Sequence, residues 1–453
     1  MKAKKIFTAT DLGGGDGGKG GVVHKICCQT DAHTVLKMGG AQGSHGVRTS
    51  RGETFNFSQF GCGTFEGVRT HITRLMVTDP LGLLHEGDEL RFSKGISNVY
   101  DLLTVDEDCL CNTPYHGIAS RLRELARKEH QKGTVGVGIG EAKYDSEVHP
   151  ELAIYMRDMK SPDLRKKLER VRDQKIEELK GYDIEDLWEV DRVLARKEMS
   201  YLFSQEFLDW TTEQFQRVGR QVRIVYTQFL ERDILSREGS VVVESSHGIL
   251  TDKYHGFHPF VSRLRTLPQA MYDLLKERGY DGQIIKLGVT RAYQIRHGAG
   301  PMVTESNEML EGLLPGSSKD ENRWQGKVRV GALDFVTLRY AVGVCGGPSS
   351  FDGIAVTWFD QVQKNGVWNV CYKYKSTDDE FFSPEGEILT RNSQDETQIN
   401  HQSKLAQKLF KTHPDITSLE ANTEVCCETV QSQLGIPVRM ISLGPTEDDK
   451  LCI

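Results

Sequence analysis

Ile6-Phe7-Thr8-Ala9-Thr10-Asp11-Leu12-Gly13-Gly14-Gly15-Asp16-Gly17-Gly18-Lys19-Gly20-Gly21-Val22-Val23 is the stretch on which the fold turns. A β-leaning run breaks into a loop with seven glycines, one aspartate and one lysine, then resumes with Val22, Val23 and Ile26 at helical spacing. The pattern predicts strand, phosphate loop, helix. Glycines let backbone N–H groups converge on an anion, the helix N-terminus adds its dipole, and Lys19 adds a full charge. Asp16, set among those donors, is a candidate magnesium ligand or base. The spacing is not a G-x-x-x-x-G-K-[ST] loop, because Gly20 stands where Ser or Thr belongs, and Lys19 interrupts any dinucleotide fingerprint. By itself the stretch says phosphate and nothing finer.

The rest of the composition narrows the class. A chain of 453 residues can bury a large core. Hydrophobic residues at 38%, charged residues at 27% and a net charge of −7 describe an ordinary soluble globular protein. No basic run points to nucleic acid and no apolar run to a membrane span. Met1-Lys2-Ala3-Lys4-Lys5 is a basic start, but the apolar run after it is too short for a signal peptide, so a cytoplasmic protein is expected. The ten cysteines lack zinc-ligand spacing and read as reduced and mostly structural.

Outward from the first loop, Thr34-Val35-Leu36 is β-like and leads into Lys37-Met38-Gly39-Gly40-Ala41-Gln42-Gly43-Ser44-His45-Gly46, a second glycine-rich loop. Ligands of open α/β sheets bind beyond the carboxyl ends of strands, so the two loops are expected to face one site. Leu75 to Thr78 precedes Asp79-Pro80 and a leucine-spaced helix, and residues 133–140 form a third glycine loop. Residues 150–235 are rich in Glu, Lys, Arg and Leu at helical spacing and read as a helical insertion or cap with a solvated face. Val241-Val242-Val243-Glu244 returns to the sheet and ends in Ser245-Ser246-His247-Gly248; His255, His258 and Ser262 follow, with no common zinc spacing among the histidines.

With Arg291 to Glu305, the order of motifs resembles the adenylosuccinate synthetase family, ligases that join aspartate to C6 of inosine monophosphate using the γ-phosphoryl group of GTP. The resemblance rests on residues 15–20, the loop ending at His45, and residues 77–80, 133–140, 244–262, 291–305, 329–334 and 436–445. It implies an α/β fold with a mainly parallel central sheet and a P-loop-like nucleotide site, one domain over residues 1–453 with the 150–235 insertion inside it. It also implies a magnesium cofactor and a homodimer. By resemblance Asp16 is the base at N1 and touches magnesium together with Gly43, while Lys19 and His45 stabilise the phosphoryl group in transfer. Gly15, Gly18, Gly20 and Gly43 cradle the triphosphate, and Asp360 reads its base. Gln42, Val135, His247, Ser262, Arg296 and Gly298 hold the monophosphate, and Lys327 and Arg329 the amine substrate.

Several positions depart from the family pattern. Its glutamate after the catalytic aspartate is Gly17 here, the aromatic residue before the loop is Gly14, and its asparagine in the second loop is Gln42. Its threonine in the third loop is Val135, and the glutamine that addresses the purine is His247. The guanine-reading Thr-Lys-x-Asp segment is Thr357-Trp358-Phe359-Asp360, which leaves the donor open between GTP and ATP. The arginine-rich aspartate loop keeps Lys327 and Arg329, with Arg323 nearby, so the amine is aspartate or another amino acid. The expected partners are thus a purine nucleoside monophosphate, GTP or ATP, and an amino acid. Alternative readings are a dGMP-specific synthase of the N6-succino-2-aminoadenylate type, a ligase for a different amine, and a nucleotide-binding sensor without turnover.

Overall fold

A computed structural model describes residues 5–314, 323–375 and 380–453; the basic start at residues 1–4 lies outside them. In chain order the strands are β1 (Lys5–Asp11), β2 (Ala32–Gly40), the hairpin β3 (His45–Arg48) and β4 (Thr54–Phe57), β5 (Arg69–Thr78), β6 (Leu103–Asp106), β7 (Leu110–Cys111), β8 (Ile154–Tyr155), β9 (Arg223–Val225), β10 (Ser240–Gly248) and β11 (Gln283–Arg291). Then come β12 (Gln294–Arg296), β13 (Arg329–Gly331), β14 (Leu333–Asp334), β15 (Gly353–Thr357), β16 (Val367–Lys375), β17 (His413–Glu420), β18 (Val438–Ser442) and β19 (Lys450–Cys452).

Among the described residues, twelve strands form one sheet with the path β19-β18-β15-β11-β1-β10-β2-β5-β6-β9, and β7 and β8 attached beside β5. The pairings along the path are parallel apart from β18 with β19. The expected α/β fold with a mainly parallel sheet is therefore the observed one. Parallel strands are covered on both faces, which is why β10 carries the unbroken buried run Val241-Val242-Val243 instead of an alternating pattern. β1 lies between β10 and β11, so its loop is flanked by theirs at the carboxyl edge.

Seven helices matter for the site and its support: α1 (Lys19–Gln29), α2 (Pro80–Phe92), α3 (Pro114–Ala126), α4 (Ile139–Val148), α5 (Leu164–Glu178), α6 (Glu189–Leu202) and α7 (Gln205–Gln221). The last three fill most of the 150–235 stretch. Leu168, Val171, Ala195, Leu208, Phe215 and Val218 on them are buried in the same apolar core as Val35 of β2 and Ile118 and Leu122 of α3. A second core surrounds β15 and β16. No helix among the described residues is long and apolar enough to cross a membrane.

Two strands run further than their sequences suggest. β2 extends through Gly40, so Lys37 to Gly40 are strand and the second loop begins at Ala41; β10 extends through Gly248. The physical reason is a buried ion pair. Register places Glu244 beside Lys37, and a lysine in mid-strand is sheltered there because a carboxylate meets it.

Candidate active site

The first loop is organised by the residue that ends β1. Asp11 has a fully buried carboxylate that accepts hydrogen bonds from the Gly13 and Gly17 amides and from Lys19 Nζ, each at 2.8 Å. Burial alone would raise its pKa, but the Lys19 charge and these hydrogen bonds hold it below the usual carboxylate range. Lys19 also donates to the His247 carbonyl at 3.0 Å, so its amine is fixed between β1 and β10. A Cβ on Gly17 would stand 2.7 Å from Asp11 Oδ2. The Asp11 carboxylate thus fills the space a side chain at position 17 would enter. Gly18 has φ 84° and opens α1 against Thr357, whose hydroxyl donates to the Gly17 carbonyl at 2.7 Å.

Asp16 is held differently. Its backbone lies in the left-handed region at φ 58°, and its carbonyl accepts from Arg291 Nε at 2.5 Å. Its carboxylate is 41% exposed, with His297 Nε2 3.5 Å away. The acid is presented to a cavity instead of being spent on the loop.

Beside it, His45 opens β3 and donates from Nδ1 to Glu244 Oε1 at 2.6 Å. Glu244 is completely buried and also accepts from Lys37 Nζ at 2.7 Å, from the Cys62 amide at 2.9 Å and from the Cys62 thiol at 3.3 Å. Burial would raise the Glu244 pKa, yet Lys37 and His45 hold it well below the usual range. Burial would likewise depress Lys37, yet Glu244 lifts it above its ordinary value. His45 is kept below its ordinary value by burial, against the pull of Glu244. At neutral pH it is the Nδ1–H tautomer with Nε2 left for a ligand.

Gln42 and His247 form the next pair. Gln42 Nε2 donates to His247 Nε2 at 2.9 Å, leaving the proton of the neutral ring on Nδ1. Burial, then the Lys19 charge, push His247 down to about 4, so it stays neutral. His247 Nδ1 and Gln42 Oε1 are both buried without a protein partner among the described residues. A donor and an acceptor are therefore held in readiness for a ligand.

The third glycine loop is tied down by α3. Glu124 Oε1 accepts from the Lys132 and Gly133 amides at 2.7 Å each, and Arg121 donates to the Gly136 carbonyl at 2.8 Å.

These loops enclose a cavity of about 780 Å³ lined by Gly15, Asp16, Lys19, Gln42, Gly43, His45, Val135, His247, Ser262 and Arg296. Ten of the sequence-predicted residues meet there. Lys132, Arg263 and His297 share the lining and were not singled out. Burial, then Arg127 and Arg263, depress the Lys132 amine, a sign of a crowded cationic wall suited to an anion.

Gly18 and Asp360 instead line a second cavity, with Gly21, Gly46, Trp358, Lys364 and Lys450. Trp358 lies 4.2 Å beneath the Arg291 guanidinium, which also grips the Asp16 carbonyl. Asp360 is engaged by Lys364 at 3.3 Å. Gly20, the second residue of α1, lines neither cavity. Gly298, Lys327 and Arg329 line neither. Arg329 is occupied by Glu305 at 2.7 Å and by the Gly298 and Gly300 carbonyls, and Lys327 is exposed.

The sequence reading missed Asp11 and Glu244 as site residues, because each acts through a partner on another strand. Charges inside β-like runs were the available signal.

Comparison with known proteins gives a consistent result. The family profile described as adenylosuccinate synthetase matches residues 12–451. The chain is 26% identical over 449 residues to adenylosuccinate synthetase of Pseudomonas fluorescens SBW25, covering 97% of this chain and 96% of that one. It is 24% identical over 454 residues to the enzyme of Francisella tularensis subsp. mediasiatica, covering 96% and 95%. Among solved structures, it is similar to fully ligated adenylosuccinate synthetase from Plasmodium falciparum, with TM-score 0.71, 17% identity and 99% of each chain covered. It is also similar to succinoaminodeoxyadenylate synthetase of cyanophage S-2L, solved bound to dGMP and dATP, with TM-score 0.58, 14% identity and 100% and 96% covered.

Proposed function

The chain belongs to the adenylosuccinate synthetase family, ligases that form a C–N bond, and on that footing we propose that it phosphorylates the 6-oxo group of a purine nucleoside monophosphate with GTP or ATP and replaces it with the amine of aspartate. The observation that carries this reading is the meeting of Asp16, Lys19, His45 and the Gln42–His247 pair in one cavity, with a second cavity across the same glycine loop. The monophosphate is assigned to the first and the base of the donor to the second, with the donor phosphates reaching across the glycine loop to Lys19, Gly43 and His45.

In this mechanism Asp16 takes the proton from N1, which makes O6 a nucleophile toward the γ-phosphorus. The P–O bond to the nucleoside diphosphate breaks as the O6–P bond forms. Lys19 and His45 stabilise the charge that develops on the phosphoryl oxygens. His45 takes a proton from solvent as that anion arrives, and Glu244 stabilises the resulting imidazolium. The amine, as its free base, then attacks C6; as the C6–N bond forms the C6–O6 bond breaks, inorganic phosphate leaves with the activated oxygen, and the nitrogen's surplus proton goes with the phosphate. Gln42 and His247 address the purine edge, Ser262 and Arg296 hold the monophosphate, and the Trp358 ring packs against the donor base.

Magnesium suits the residues present. Asp11 is consumed by Lys19 and two amides, whereas Asp16 keeps an open carboxylate, a hard oxygen donor. Asp16 and the Gly43 carbonyl would hold the ion, which supplies charge neutralisation on the donor phosphates. A homodimeric, cytoplasmic enzyme completes the proposal.

A ligase for an amine other than aspartate is the second reading, favoured by the commitment of Arg329 to Glu305 and two carbonyls. Phosphate release from GTP, ATP and dATP, each with IMP, dIMP, GMP or dGMP and with or without aspartate and other amino acids, tests both. Release that requires one monophosphate and one amine is expected. Nucleotide binding with no release in any combination would overturn the ligase and leave a sensor.

A further inference from the structure

Away from both cavities, α1 carries His24 and Cys28 four residues apart, roughly one and a half and two and a half turns beyond Lys19. Residues at this spacing share one helix face. Glu66, in the short 3-10 turn Thr64–Glu66 before β5, reaches the same point. Their donor atoms all lie within 4.8 Å of one another.

The individual distances are more telling. Cys28 Sγ is 3.6 Å from His24 Nε2, and His24 Nε2 is 3.3 Å from Glu66 Oε1. Around a tetrahedral zinc with ordinary Zn–S, Zn–N and Zn–O bonds, the sulfur–nitrogen edge is about 3.6 Å and the nitrogen–oxygen edge about 3.3 Å. The same ring nitrogen makes both contacts, as a ligand would. The other, Nδ1, has the Glu447 carboxylate 3.8 Å away, beyond hydrogen-bond distance. Glu447 is itself fixed by the Ser50 hydroxyl at 2.6 Å and amide at 3.1 Å. Arg51 Nη2 donates to the same Glu66 oxygen at 2.6 Å and would share it with an ion. Cys28 is exposed, and Glu66 also lines an open cavity with Gly67 and Arg69, so the cluster can be reached from solvent.

We propose that His24, Cys28 and Glu66 form a site for one borderline transition-metal ion of the zinc type, with solvent as fourth ligand. The mixed sulfur, nitrogen and oxygen donors disfavour magnesium, which separates this site from the one assigned to the phosphates. Its position gives it a role. Bound there, an ion ties α1, the helix that begins in the phosphate loop, to the turn before β5. Through Glu447 it also reaches the C-terminal segment whose Lys450 lines the second cavity.

The test is Co²⁺ titration of the full chain after removal of metals with EDTA. Expected are one Co²⁺ per chain, tetrahedral d–d bands and a thiolate charge-transfer band, all displaced by Zn²⁺. Cys28→Ser, a change at an exposed position, should abolish the charge-transfer band while leaving the thermal midpoint in EDTA unchanged. A missing charge-transfer band, or one that persists in Cys28→Ser, would overturn the site. None of these readouts depends on ligase turnover, so the outcome is independent of the proposed reaction.

Discussion

Asp11 and Gly17 share one carboxylate's worth of space. Gly17 is not in the left-handed region, so the obstacle to a side chain there is the Asp11 carboxylate 2.7 Å away. Gly17→Ala should lower turnover about tenfold or more by displacing the Asp11–Lys19 pair, and Asp11→Ser combined with Gly17→Glu should recover part of it; steady-state phosphate release decides. Asp16→Ala should cost about 10²- to 10⁴-fold in phosphoryl transfer while nucleotide binding persists, the range for loss of a general base. Full activity in Asp16→Ala would remove the base assignment. His45→Ala should also cut turnover, and an unchanged rate would place His45 off the reaction path. Asp16, Lys19 and His45 were singled out in the sequence because charged or titratable residues stand out among glycines, and the three do line one cavity, although Lys19 and His45 also make buried ion pairs there. Asp11 was not singled out. Its partner lies eight residues away across a turn, and nothing in a linear string shows that the loop folds back on the strand that feeds it.

Among the elements, β10 does the most for the site. It brings Glu244 to Lys37 and His45, presents His247, and ends where Gly248 packs on the first loop. A Cβ on Gly248 would lie 2.2 Å from the Gly13 carbonyl oxygen, a backbone atom with no rotamer to escape into. Gly248→Ala should therefore shift the loop and reduce turnover about ten- to a hundredfold, while the urea midpoint stays close to that of the parent. A loss of folding equal to the loss of activity would refute this. The strands themselves were readable from β-branched runs, and α2 from its Asp-Pro start and leucine spacing. Their ends were not. Glycines after Leu36 look like a loop until the ion pair with Glu244 shows why the strand continues.

At the scale of the whole molecule, acid stability carries a clear signature. His71 on β5 is fully buried with Nδ1 2.9 Å from the Thr104 hydroxyl, and burial pushes it down to about 3. Its folded pKa is below its unfolded one, near 6.5, so this contribution is complete above that value and is lost as pH falls toward 3. Relative to His71→Leu, the parent should lose about 1.4 kcal/mol per pH unit between pH 6 and 4, measured by urea unfolding. A constant difference across that range would show that His71 is not buried as a neutral ring. The class of fold was legible from strands ending in glycine loops. The order of its strands was not, because parallel neighbours such as β1 and β11 are far apart in the chain and share no local signal.

The two cavities have no lining residue in common, although one glycine loop separates them. One is walled by Trp358, Asp360 and the C-terminal turn, the other by Gln42, His247 and the α3-bound loop. In evolutionary terms they are two locks on one bolt. On the assignment proposed above, substitutions around Trp358 act on the donor cavity and those at Gln42 and His247 on the monophosphate cavity, with Arg291, which touches both Trp358 and Asp16, as the link between them. On that assignment a lineage with this architecture would change its fuel and its cargo through different sets of lining residues.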